Sequence, residues 1–122
     1  MAVEEFKTLT KVKDMMIYAY PVLAQFPKAE KFSLAQDIRH SMDQLLELTI
    51  TEDKKYYKKT TLESMDVELA KLKTYVRLGM ELNFIPFHKY EVWERHLTEI
   101  GKMIGGLMKS VNSKPKNIGN ES

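Results

Sequence analysis

Three histidines and no cysteine narrow the chemistry open to this chain of 122 residues. His40 stands three residues after Asp37, a spacing that brings a carboxylate and an imidazole to one face of a helix. A di-metal carboxylate centre in a helical bundle needs more: a Glu-x-x-His on each of two helices and a glutamate from each of two others. Asp37-x-x-His40 is the nearest approach to that pattern, so Asp37 is read as a favourable charge at a helix N-terminus and His40 as a surface polar group. His88 and His96 stand apart from any serine in a nucleophile's setting. Without cysteine there is no thiolate, no disulfide and no sulfur ligand for a metal. The expectation is a chain with no catalytic residues, no metal site, no cofactor and no small-molecule substrate.

The cations suggest different chemistry, the binding of phosphate. Lys54-Lys55-Tyr56-Tyr57-Lys58-Lys59 places four positive charges within six residues. On a helix, Lys54/Lys58 and Lys55/Lys59 would be i,i+4 pairs whose repulsion a phosphate backbone relieves. Tyr56 and Tyr57 could stack on unpaired bases, a contact worth ~1–3 kcal/mol per base. Against this, Glu52 and Asp53 could partly neutralise a solvated loop while the tyrosines pack on the fold, and composition alone leaves both readings open. Lys73 and Arg77 form a second basic pair, one residue after Leu72 and Val76, and so on the flank of a helix. Arg77 can also reach Glu81, a pairing worth a few tenths of a kcal/mol when exposed. Arg95 has Glu91 and Glu99 within reach, and Lys102 has Glu99. Net charge is +2, with 10 Lys and Arg against 12 Asp and Glu up to residue 70 and 9 against 5 beyond it. The positive field is therefore local.

Elements must position these groups, and the pattern predicts helices alone. With 43% hydrophobic and 30% charged residues, the length suits one domain with one core. No run is apolar enough for a membrane span, and Met-Ala-Val-Glu-Glu lacks the basic flank and apolar segment of a signal peptide, so a cytoplasmic protein is expected. Leu9, Val12, Met16, Ala19, Leu23 and Phe26 set one stripe of a first helix from about Glu4 to Phe26, kinked near Pro21 and ended by Pro27. Ser33 and Gln36 read as a capping box opening a second helix that runs to about Thr51 through Ala35, Ile38, Met42, Leu45 and Thr49. Leu62, Met65, Leu69, Leu72, Val76 and Gly79 mark a third helix, which could start as early as Glu52. Pro86 breaks the pattern, and Tyr90, Trp93, Leu97, Ile100, Ile104, Leu107 and Val111 give a fourth. The fold predicted is an all-α, antiparallel up-down-up-down four-helix bundle over residues 1–111, followed by a polar, disordered tail over 112–122.

Two features point to packing beyond one stripe per helix. Gly101, Gly105 and Gly106 lie inside the most strongly periodic helix, where each glycine costs roughly 1 kcal/mol relative to alanine, so close approach of a neighbouring helix is expected there. Met15, Tyr18 and Val22 form a second stripe beside the first, and Ile17 and Tyr20 leave residues 15–20 apolar nearly all round. Another subunit is expected to cover that surplus.

Taken together, Tyr20-Pro21, Phe26-Pro27-Lys28-Ala29-Glu30-Lys31-Phe32-Ser33-Leu34, Leu69-x-x-Leu72-Lys73-x-x-Val76-Arg77-Leu78-Gly79 and Glu99-Ile100-Gly101-Lys102-Met103-Ile104-Gly105-Gly106 resemble the accessory variability determinant (Avd) family of diversity-generating retroelements. That family lies within a wider four-helix-bundle group that includes proteins encoded by intervening sequences of bacterial 23S ribosomal RNA genes. The resemblance implies a non-catalytic homopentamer, a barrel of four-helix bundles that binds the element's reverse transcriptase, template RNA and cDNA and supports mutagenic cDNA synthesis. It assigns Lys73 and Arg77 to the two basic positions of the third-helix motif and Lys102 to the basic position after Glu-Ile-Gly. Leu107 stands where members of this branch often carry Trp. The alternative is a generic oligomeric bundle of the intervening-sequence type with no reverse transcriptase partner.

Overall fold

Apolar residues recurring every three or four positions make helices here because each stripe can be buried only against another stripe. The computed structural model of the chain describes residues 3–50 and 57–113, and within them are four α-helices, one short 3-10 turn and no strand. Helix α1 runs Val3–Ala24, α2 Leu34–Thr49, α3 Lys59–Glu81 and α4 Phe87–Ser113, with the 3-10 turn at Lys28–Glu30. Each helix packs on its neighbours in chain order, and α1 closes the ring against α4. Val12, Met15, Ala19, Ile38, Met42, Leu62, Met65, Leu72, Val76, Trp93, Leu97, Ile100 and Ile104 fill the centre without exposure.

Helix ends depart from the sequence reading in ways that local chemistry explains. Helix α1 passes through Pro21 and stops at Ala24, where the N–H groups of Gln25 and Phe26 bond the carbonyls of Val22 and Leu23 at 3.1 Å, tightening the last turn. The capping box at Ser33 does not form. Its Oγ donates instead to Glu30 Oε1 at 2.5 Å, so the 3-10 turn takes the hydroxyl that α2 would have used. Helix α2 ends at Thr49, and α3 begins at Lys59, with Glu52 outside the described residues. The expected tail boundary also moves, since α4 continues through Asn112 to Ser113, and residues 114–122 lie outside the described residues.

The turn between α3 and α4 is built around Asn83, whose φ of 66° is left-handed. Asn83 N–H bonds the Met80 carbonyl and Phe84 N–H the Gly79 carbonyl, both at 2.9 Å, which is the pairing of a Schellman motif with asparagine in the glycine position. Ile85 then folds back over Gly79. A Cβ at Gly79 would lie 2.8 Å from Ile85 Cδ1, so this glycine is what lets the turn close against the core.

Candidate functional site

The seam between α3 and α4 carries the basic pair of the sequence motif. Lys73 projects from the flank of α3 and places Nζ 3.4 Å from Glu94 Oε2 on α4. One turn on, Arg77 Nε donates to Glu81 Oε2 at 3.2 Å. The Glu81 hydrogen bond and charge raise the guanidinium's pKa further above its ordinary range, with Tyr90 of α4 adding to the effect. Both cations therefore hold carboxylates. A phosphate arriving here shares these cations with Glu94 and Glu81 or exchanges with them. Ion pairs of this exposed kind are weak, and that exchange costs little.

Lys102 is exposed on α4 next to Gly101, whose Cβ position lies 3.3 Å from Leu69 Cδ2 on α3. By helical spacing Lys102 lies on the outward face of α4, opposite Trp93, Leu97, Ile100 and Ile104. Among the described residues no ion pair joins Lys102 to Glu99, or Arg95 to Glu91 or Glu99, so the local pairings expected for these two cations do not form. Lys59 lies on the same flank of α3 as Lys73, two heptads before it and about 21 Å away along the axis. Asp66 stands midway, so the strip alternates in sign. Lys58 and Lys59 are both exposed where α3 begins.

Tyr57 overturns its expected role. Its ring is 4% exposed and its hydroxyl donates to the Thr49 carbonyl at 2.6 Å, which satisfies a carbonyl at the end of α2. A ring buried in that way cannot stack on a base. The tyrosine packs on the fold, as the plainer reading of the cluster had it, and Lys54, Lys55 and Tyr56 lie outside the described residues.

The residues expected at a subunit contact divide similarly. Met15 and Val22 are buried inside this one chain, so they are core and not surplus, because the face that α1 turns inward is centred between the two predicted stripes. Met15 Sδ accepts the Trp93 indole N–H at 3.3 Å. Tyr18 is half-buried and stacks on His96 of α4 with ring centres 5.5 Å apart. Of the three glycines of α4, Gly101 alone meets another helix of the chain. A Cβ at Gly105 or Gly106 would have nothing within 4 Å, and both are exposed. The glycine that sequence reasoning missed as a contact is Gly79, which had been read only as one position of a stripe.

Among the described residues no cluster of three or more His, Asp or Glu could hold a metal ion. Partial burial, then the nearby Asp43, pushes the Tyr20 phenol up, against Arg39.

Comparison with known proteins adds one finding. Residues 7–111 match a family described as bAvd-like. No curated protein matches the chain.

Proposed function

The chain belongs to the bAvd-like family, and from that premise we propose that it is the accessory protein of a diversity-generating retroelement. In this reading it holds the element's reverse transcriptase with template RNA and cDNA, in the cytoplasm, and makes or breaks no bond itself. The family match carries the proposal, because it spans residues 7–111 and so takes in most of all four helices. That no helix among the described residues is long and apolar enough to cross a membrane is compatible with work beside nucleic acid.

Side-chain pairings support the antiparallel up-down-up-down order. Leu69 lies at Gly101 and Lys73 at Glu94, so position in α4 falls as position in α3 rises. Met15 with Trp93 and Phe26 with Phe84 run the same way between α1 and the α4 side. The homopentamer of the resemblance finds support in the apolar side chains that α1 leaves outside the bundle. Five copies would repeat Lys58, Lys59, Lys73, Arg77 and Lys102 five times, and linked weak contacts raise avidity without any new one.

The test is co-purification with the neighbouring reverse transcriptase across a salt series, reading complex mass and bound RNA together. The expected result is a complex with several copies of this chain that loses RNA as salt rises, since counterion release scales with the phosphates neutralised. Changing Lys73 and Arg77 together to glutamate should preserve helicity, because both are flank positions, and weaken the complex by tenfold or more. A stable homo-oligomer that never binds the polymerase would favour the generic interaction module.

A further inference from the structure

One end of the bundle holds apolar side chains in water. The connection from α1 to α2 and the turn from α3 to α4 meet there, since the rings of Phe26 and Phe84 lie 5.6 Å apart and Phe26 Cζ is 3.4 Å from the Cβ position of Gly79. Phe26 and Ile85 are buried, so these residues make a packed floor. Around it stand Phe32, 90% exposed just before α2, Leu82, 48% exposed just after α3, and Phe87, 60% exposed at the first position of α4. Pro27 and Pro86 are exposed beside them. The charge at this end is positive. Residues 25–33 and 82–90 hold three lysines, Lys28, Lys31 and Lys89, against the single Glu30, whose carboxylate already takes the Ser33 hydroxyl.

We propose that this end docks a partner protein through a segment that carries apolar side chains among carboxylates. Exposed apolar side chains gathered at one place mark an interaction surface, whereas scattered ones need no explanation. Charge selects the occupant. A second copy of this chain would bring its own lysines against Lys28, Lys31 and Lys89, and like charges facing each other disfavour that pairing. Carboxylates on a partner meet them favourably. Leu82 favours a protein over a nucleic acid, because leucine gives apolar contact to another side chain but no ring on which a base can stack. Phe87 is already oriented by Tyr90, with ring centres 6.1 Å apart, so less freedom is lost when it is covered. Docking there needs neither Lys73 nor Arg77, so it goes beyond the retroelement reading and does not depend on it.

Fluorescence anisotropy of a labelled synthetic peptide of leucine, phenylalanine and glutamate, titrated with the full chain, tests it. The parent should bind this peptide about tenfold or more tighter than the same peptide with lysine in place of glutamate, because only the first complements the basic rim. Phe32→Ala combined with Phe87→Ala should weaken binding by about tenfold or more, as the loss of two aromatic anchors does. Both residues are exposed, so the double variant should keep the circular dichroism of the parent. Phe6 supplies the control. It is 61% exposed but lies near the start of α1 and follows Glu4 and Glu5 in sequence, so Phe6→Ala should bind the peptide as the parent does. A parent that binds neither peptide, or both equally, overturns the proposal, and so does an equal loss from Phe6→Ala. Two further readings on the double variant identify the other occupants. Loss of oligouridylate binding would make this end a stacking platform for nucleic acid, and a smaller mass by light scattering would make it a contact between copies; either result overturns docking of an acidic protein segment.

Discussion

Removing the Tyr57 hydroxyl would take from the Thr49 carbonyl the donor that reaches it across the connection between α2 and α3. Both groups are buried, so Tyr57→Phe should cost about 1–2 kcal/mol, the ordinary penalty for an acceptor deprived of its partner away from water. Urea denaturation followed by circular dichroism measures it, and RNA affinity of the folded variant should be unchanged, because the ring faces the core. The contrast with its sequence neighbours shows what single residues could reveal in advance. A tyrosine between lysines suits either stacking on bases or anchoring a loop, and only the position of the α2 terminus separates the two. Lys73 has the same ambiguity. Its partner Glu94 lies on another helix, and no i,i+4 rule could bring the two together.

Helix α4 ends in a stretch where the sequence and the fold place opposite weights on glycine. Nothing approaches Gly105 or Gly106, so their cost in backbone entropy is unrelieved by packing within the chain. Changing both to alanine should stabilise the protein by up to about 1–2 kcal/mol, by the difference in helix propensity. Thermal unfolding would show a higher midpoint. Gly79 is the opposite case, since Ile85 occupies the space its side chain would need. Element by element, the four stripes were legible because burial against a partner repeats with the helix period, and Leu62, Met65, Leu69, Leu72 and Val76 are all buried as read. The ends were less legible. Ser33 satisfies a capping pattern but spends its hydroxyl on Glu30, and Asn83 caps α3 without the glycine that usually marks such a stop. Hydrogen-bond competition over three or four residues decides those ends, and hydrophobic periodicity does not register it.

At the scale of the whole chain, the ring of helices closes where α1 meets α4, and that closure joins the most distant parts of the sequence. The expectation of an uncovered surface on α1 came from residues 15–20 being apolar on all sides. Which residues form it needed the bundle: Met15 and Val22 turn inward and Ile17 and Tyr20 outward, because the inward face is set by where α2 and α4 sit. Candidate binding cations were legible as types and positions, but their pairing was not, since an ion pair across a seam depends on two helices at once. The Met15–Trp93 contact makes this closure visible in time. It spans 78 residues and includes the chain's single tryptophan. Loop closure over such a separation comes late, after contacts between consecutive helices have formed. In stopped-flow refolding, the indole emission should therefore reach its native value after the far-ultraviolet dichroism does. The single indole would then act as a clock for the last seam to shut.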